Sequence, residues 1–259
     1  MNDILGEAMT AYDQRRSAAK LWVNYTLRDP RSRGRRADIS EAATEGHIPP
    51  ETRRSSPGPR EEMPVKIYFR NSNDMPELEW VALQQCRGTI LDIGAGAGSH
   101  ALALQQLGLD VTALDISPML VRLMKKRGVR RVICDDFFKL RSGRYDTLLL
   151  LMNGIGLAGN LDGLRRFLTK ARKLLRPGGQ LIFDSSDIAY LYHGKPPKGP
   201  EYYGAIFYQY EYRRQQSDWF QWLFIDRKTL RAVLTEEGWS VEPVYDSGLE
   251  HYLVRCKPR

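Results

Sequence analysis

The stretch Thr89 to Gly98, TILDIGAGAG, constrains this chain more than any other. A short apolar run, Ile90, Leu91 and Ile93, is broken only by Asp92 and stops at three glycines on alternate positions, Gly94, Gly96 and Gly98. The pattern reads as a buried strand that turns through a glycine loop into a helix. Glycine serves such a loop in two ways. It takes positive φ in a tight turn, and without a Cβ it lets a ligand lie against the backbone. A helix beginning near Ser99 aims its free N–H groups and the positive end of its dipole into the loop. That much implies a nucleotide-type ligand. The dinucleotide pattern needs glycine at its first, third and sixth positions, and the sixth position from Gly94 is Ser99.

A closer fit is D-x-G-x-G-x-G from Asp92 to Gly98, with a second acid, Asp115, closing the next apolar run, Val111 to Leu114. This spacing resembles the class I S-adenosylmethionine-dependent methyltransferases. From Thr89 onward strand and helix signals alternate, which predicts an α/β fold with a doubly wound, mostly parallel sheet and right-handed crossovers. Helices are expected over Ala101 to Leu107, from Ser117-Pro118 to Arg127, and over Asp162 to Leu175. Strands are expected at Asp110 to Leu114, Arg131 to Cys134, Tyr145 to Leu151 and Gln180 to Phe183. The Leu175-Arg176-Pro177-Gly178-Gly179 break before the last of these is a second feature similar to the family. Two final strands, Trp239 to Val244 and Tyr252 to Cys256, would complete seven, the terminal one antiparallel, as the resemblance implies.

Two segments lie outside this alternation. Tyr203 to Tyr212 alternates with Ile206, Tyr208, Tyr210 and Tyr212 on one face, and Trp219 to Ile225 is a second aromatic strand, so 203–225 reads as an inserted antiparallel hairpin. At the N-terminus, Leu5, Ala8, Met9, Tyr12, Trp22 and Tyr25 have helical spacing, giving a helix over residues 1–27 that the resemblance implies is a lid. Residues 28–60 carry eight arginines against five acids and are nearly free of large apolar groups, which reads as a flexible Arg/Pro-rich linker. Residues 61–259 would then form the methyltransferase domain that the resemblance implies, with the hairpin inserted in it.

Composition narrows the class. At 259 residues, 42% hydrophobic and 27% charged, the chain can bury a substantial core. No apolar run approaches 20 residues and no signal peptide is visible, so no membrane span is expected. The three cysteines, Cys86, Cys134 and Cys256, lack metal-ligand spacing and suggest reduced core thiols in a cytoplasmic protein. No metal site is expected. The net charge of +8 leaves a nucleic-acid partner open, although unlike an extended basic surface it is partly confined to 28–60.

The resemblance implies S-adenosylmethionine as cofactor. It sets Asp92, Gly94, Ala95, Gly96 and Gly98 against its methionine and ribose parts, Asp115 on both ribose hydroxyls and Ile116 on the adenine. Asp136 takes the adenine amino group, with Asp135 competing for that role, and Phe137 lies beside it. Met152 and Asn153, at the end of the fourth strand, lie near the transferred methyl. The Asn/Asp-Pro-Pro-aromatic signature of DNA and glutamine amino-methyltransferases is missing there, and Asn153-Gly154-Ile155-Gly156-Leu157-Ala158-Gly159 resembles the small-molecule members. Candidates for catalysis are Asn153, His193 and Asp187, with Asp184 and Tyr190 as further bases; His100 is expected to touch the cofactor carboxylate or to cap packing. Tyr68, Phe69 and Arg70 are candidate lid residues. Tyr208, Tyr210 and Trp222 are candidates for an acceptor pocket or for a homodimer contact. The implied function is methyl transfer to nitrogen or oxygen of a small molecule. The alternatives are an RNA or protein methyltransferase using the basic segment, a binding protein without turnover, and an NAD enzyme.

Overall fold

The computed structural model describes residues 3–15, 19–27, 59–141 and 143–259. In chain order these form α1 (Ile4–Asp13), β1 (Leu21–Thr26), β2 (Arg60–Met63), α2 (Glu77–Gln85), β3 (Thr89–Ile93), α3 (Ser99–Gln106), β4 (Asp110–Asp115), α4 (Pro118–Arg127), β5 (Val132–Cys134) and β6 (Tyr145–Leu150). There follow α5 (Leu161–Leu174), β7 (Leu175–Ser186), β8 (Ala205–Tyr212), β9 (Gln215–Gln216), β10 (Phe220–Leu223), α6 (Arg227–Glu236), β11 (Trp239–Asp246) and β12 (His251–Pro258).

Seven strands make one sheet in the order β11-β12-β7-β6-β3-β4-β5. Its β7-β6-β3-β4-β5 pairs are parallel, and β12 pairs antiparallel with β7 and β11, so the doubly wound, mostly parallel fold expected above is the one observed. Alternation along the strands decides what each face meets. Ile90, Val111, Leu149 and Ile182 pack with Ala82, Leu83, Ala101, Leu104 and Met124 from α2, α3 and α4. Leu91, Leu148, Leu150 and Phe183 pack with Phe167, Leu168, Leu230 and Leu234 from α5 and α6. Each of the Val, Leu, Ile, Phe and Met side chains among them, fully withdrawn from water, stabilises the fold by about 1.5–3 kcal/mol. Sharp caps end the helices on the site side: Ser117 Oγ accepts from Leu120 N with Pro118 next, and Asp226 accepts from Lys228 and Thr229 N–H.

The N-terminal segment departs from the sequence reading. The helix stops at Asp13, and Leu21–Thr26, expected inside it, is a strand. Trp22, Val23, Tyr25 and Thr26 are strand formers, and strand alternation puts Val23 and Tyr25 on one face and Trp22 on the other. β1 pairs antiparallel with β8 on one side (Tyr25 with Tyr208, Val23 with Tyr210) and with β2 on the other. The hairpin, expected as a free insertion, is therefore part of a second antiparallel sheet, β10-β8-β1-β2, with β9 extending β8 through a tight turn at Arg213 and Arg214, both at positive φ. β7 also starts earlier than expected: it runs through Arg176-Pro177-Gly178-Gly179, with a register irregularity between Tyr145 and Thr147 of β6. Cys86 and Cys256 are buried, but Cys134, read as a core thiol, is exposed. Most of the expected linker, 28–58, lies outside the described residues. Among the described residues no helix is long and apolar enough to cross a membrane, and no group of His, Cys, Asp and Glu is placed to hold a metal.

Candidate functional site

β3 delivers the chain into the glycine loop. Gly94, Gly96 and Gly98 all have positive φ, at 72°, 58° and 81°. Their environments differ. A Cβ on Gly98 would lie 2.8 Å from Val129 Cγ2 and 2.9 Å from Met124 Cγ, so this glycine lets the loop press on α4 and its C-terminal end. A Cβ on Gly94 would meet nothing within 4 Å, so the bare backbone there faces open space. The Gly94 and Ala95 N–H groups donate to the Leu114 carbonyl at 2.8 and 3.0 Å, which fixes the loop against the end of β4.

That contact brings Asp115 to the loop. Its Oδ2 accepts from Gly96 N and its Oδ1 from Ser117 N, both at 2.9 Å, so the carboxylate bridges the glycine loop and the start of α4. Burial pushes its pKa up to about 6 against the pull of those two N–H donors. Asp92 lies at the end of the neighbouring β3 and is 2% exposed. Burial raises it also to about 6, against the His100 charge and the Ala101 N–H in the first turn of α3. Asp92 Oδ2 is buried with no hydrogen-bond partner. An orphaned carboxylate oxygen beside an open glycine loop is the mark of a missing donor.

A buried charge ladder adjoins it. His100, in the first turn of α3, contacts Glu79 Oε2 of α2 at 2.9 Å through Nε2, and Glu79 Oε1 accepts from Arg70. Burial alone would lower the imidazole pKa, but the Glu79 hydrogen bond and the Asp92 and Glu79 charges outweigh it and raise it. Asp184, at the end of β7 on the same face of the sheet, is raised by burial to about 7, opposed by the Asn153 N–H that its oxygens accept at 2.9 and 3.0 Å. Sequence reading missed Glu79. The available signal was a lone acid within the apolar stripe of a helix whose neighbours Ala82 and Leu83 are fully buried.

The N-terminal elements close over the loop. Ser99 Oγ donates to the Tyr68 carbonyl at 2.7 Å, and Tyr68 Cδ1 lies 3.7 Å from where a Gly96 Cβ would stand. Met9 of α1 packs with Ala97, Leu120 and Leu123, and Asp3, which caps α1, accepts from Ser117. Tyr68 and Phe69 of the strap and Met9 of α1 thus pack against the glycine loop and α4. Tyr68 OH donates to Met63 Sδ at 2.9 Å, tying this strap to β2. Phe69 lies against Tyr12 and beneath the Arg127 guanidinium.

At the end of β6, Met152 and Asn153 both have positive φ (59° and 54°). That strained turn points the Asn153 side chain inward, where Oδ1 accepts from Ser185 Oγ at 2.9 Å and Nδ2 donates to the Leu223 carbonyl at 3.2 Å. Its amide clips the second sheet to the first. Gly156 serves the same docking: a Cβ there would stand 2.1 Å from Trp222 Nε1. Trp222 is accordingly a docking residue on this turn. Phe137, expected beside an adenine, is turned inward, with its ring stacked on Phe167 at 4.5 Å, while Phe138 is the exposed neighbour. Ile116 is 69% exposed at the rim beyond Asp115. Asp136 Oδ1 accepts from Phe138 N, and Asp135 Oδ1 from Asp136 N, so both acids shape the turn after β5. Asp187 is held by Tyr203 OH at 2.7 Å and Ala189 N at 2.9 Å. His193 is exposed at the cap of the Ala189–Tyr192 turn, away from the buried ladder.

A doubly wound sheet with a glycine loop and a carboxylate on the adjoining strand end defines a nucleotide-cofactor protein of the Rossmann-like class. Comparison narrows the class. Residues 91–183 match the family model described as a methyltransferase domain. The chain resembles the crystal structure of an S-adenosylmethionine-dependent methyltransferase from Bacteroides fragilis in complex with S-adenosyl-L-homocysteine. Identity is 36% and the TM-score 0.80, with 99% of this chain and 94% of that one covered. It is 34% identical over 105 residues to the cypemycin N-terminal methyltransferase of Streptomyces sp, covering 39% of this chain and 43% of that protein. It is 28% identical over 104 residues to the demethylmenaquinone methyltransferase of Tropheryma whipplei (strain Twist), covering 36% and 39%. The chain thus spans about two fifths of the length of these curated relatives. This protein belongs to the S-adenosylmethionine-dependent methyltransferases.

Proposed function

We propose that this chain transfers a methyl group from S-adenosylmethionine to a nitrogen or oxygen of a small-molecule acceptor. The observation that carries the reading is the pairing of Asp115, bridged by Gly96 and Ser117 N–H, with the orphaned Asp92 Oδ2 across the open Gly94 backbone. The residues fit the cofactor. Asp115 is a carboxylate for the two ribose hydroxyls and Ile116 an exposed apolar face for the adenine. Asp136 is an acceptor for the adenine amino group, and Asp92 a buried acceptor for the ammonium of the methionine end. The bound cofactor supplies an electrophilic methyl on a sulfonium with a neutral leaving group. The protein's part is then alignment and exclusion of water, which can contribute about 7–11 kcal/mol. The strap at Tyr68 and the α1 lid exclude solvent. A base is needed only for an acceptor that arrives protonated.

The acceptor lies, on this reading, between the glycine loop and the inner face of the second sheet, where Tyr208 and Tyr210 point. Support comes from Asp115, which after burial helps push the Tyr210 phenol up to about 12, and from the mutual influence of the Tyr68, Tyr208 and Tyr210 phenols. The test is calorimetric titration with S-adenosylmethionine, S-adenosylhomocysteine and NAD, on wild type and Asp115→Ala. Micromolar binding of the first two, weakened about ten- to a hundredfold in the variant, is expected. Binding of NAD alone would overturn the reading.

A further inference from the structure

The inner face of the second sheet is engaged at both ends and aromatic in the middle. Leu21 and Tyr212 pack under Ile4 and Ala8 of α1 at one end. Trp222 docks on Gly156 at the other. Between them the cross-strand pairs Tyr25–Tyr208 and Tyr208–Phe220 stand edge to face, with centroids 6.2 and 6.3 Å apart. Phe224 meets Tyr208 at 6.0 Å and Phe220 meets Tyr210 at 5.2 Å. The opposite wall brings Tyr68 from the strap, and Tyr190, 57% exposed, stands at the rim.

The carboxylates of Glu61 and Asp115 act on the tyrosines of this aromatic box, while the Arg70 charge reaches only Tyr68 on the strap side. Register puts Glu61 of β2 on the inner face opposite Val23, and Tyr25 OH donates to its Oε1 at 3.1 Å. Glu61 also raises the Tyr208 and Tyr190 phenols, after burial, and Asp115 does the same to Tyr210. The arginines adjoining the box are engaged elsewhere. Arg60 alternates to the outer face, pairing with Glu211 at 2.6 Å and lying 4.1 Å over Trp22. Arg70 is held by Glu79, and Arg127 by the Ala97 carbonyl and the Phe69 ring. Tyrosine faces attract a cation, and a carboxylate at the rim adds to that attraction and repels anions.

Resting on the methyltransferase reading, we infer that the acceptor is an amine, recognised as its ammonium by the Tyr25, Tyr208 and Phe220 rings with Glu61 as the opposing charge, and that the ammonium passes its proton to the Glu61 carboxylate before the freed nitrogen lone pair takes the methyl and the thioether leaves. Acceptors carrying carboxylate or phosphate at the reacting end are excluded by the same field.

The experiment uses the full chain saturated with S-adenosylhomocysteine and three matched probes: phenethylamine, 2-phenylethanol and 3-phenylpropionate, titrated by calorimetry at pH 7.5. The amine is expected to bind roughly tenfold more tightly than the alcohol, with the carboxylate weakest. Glu61→Gln and Tyr208→Leu should each reduce the amine's advantage, while Tyr208→Phe, which keeps the ring, retains it. Equal or undetectable binding of the amine, a carboxylate that matches it, or an amine preference untouched by Glu61→Gln overturns the inference. The preceding titration with S-adenosylhomocysteine separates the two claims. If that ligand does not bind, the methyltransferase reading itself falls; if it binds and the amine shows no advantage, only the acceptor class does.

Discussion

Asp92→Asn should weaken the cofactor, and its effect on the stability of the ligand-free protein should move from neutral or destabilising at pH 4.5 to neutral or stabilising at pH 8. Asp92 has its pKa raised from 3.8 to about 6 by burial. For an acid raised on folding, the native state holds its proton more tightly than the unfolded chain does. Its burden is therefore small near the unfolded value, grows as pH rises from about 4 to 6, and is fully present above. The full difference corresponds to about 3 kcal/mol at pH 8, of which about 1 kcal/mol remains at pH 4.5. The substitution removes this burden and introduces a fixed one, because the new amide N–H₂ stands where Oδ2 has no partner, at about 1–3 kcal/mol. That fixed term is the same at both pH values and cancels in their difference. The variant's stability relative to wild type should hence improve by about 2 kcal/mol between pH 4.5 and pH 8, or roughly 4–8 °C in Tm for a chain of this size. Thermal unfolding of both proteins without ligand at the two pH values measures it. A relative stability that stays flat, or that favours the variant more at the acid end, would refute the idea that Asp92 is a strained carboxylate kept for a ligand.

Cofactor affinity should rise as pH goes from 5 to 7.5, because ligand hydroxyls and an ammonium favour the ionised forms of Asp115 and Asp92, both raised to about 6; calorimetry across that range shows it, and a flat profile counts against their role. Gly156→Ala forces a Cβ into the Trp222 indole and should destabilise by about 1–3 kcal/mol, with recovery in the Gly156→Ala, Trp222→Leu double variant measured by urea unfolding. Glu79→Ala strands Arg70 and the imidazolium of His100 and should cost about 3–5 kcal/mol at pH 6. Because the His100 pKa is raised, its share of that loss is fully present below 6.5 and fades as pH rises through the folded value, so the gap to wild type should narrow by pH 9.

What the chain reveals before folding depends on how far apart the interacting residues lie in it. The loop from Gly94 to Gly98 and the acid at Asp115 are legible because a strand, a turn and the next strand end are local, and the pairing of β3 with β4 follows from alternation. β1 was illegible as a strand because its partner β8 lies some 180 residues away, and Trp22 and Tyr25 alone satisfy a helical period. Phe137 and Phe138 show the one-residue limit at a strand end: two adjacent rings face opposite ways, and composition does not say which turns inward. Asn153 and Gly156 were noticed as a motif at a methyl-transfer position, but their work of docking Leu223 and Trp222 exists only once the second sheet is in place. The Arg70–Glu79–His100 ladder joins three elements that share no motif.

The second sheet carries a consequence for how the protein comes into being on the ribosome. Its strand β1 is made before the cofactor half, and its partner β8 only after nearly the whole of that half has emerged. The β8-facing edge of β1 must therefore wait, unpaired, through most of synthesis, and long-range closure of this kind is slow. A chain interrupted before residue 205 would still contain the glycine loop and its two acids, yet β1 would present an open edge to any neighbouring strand. Chaperone dependence and aggregation of such fragments would arise from this late pairing of residues translated far apart.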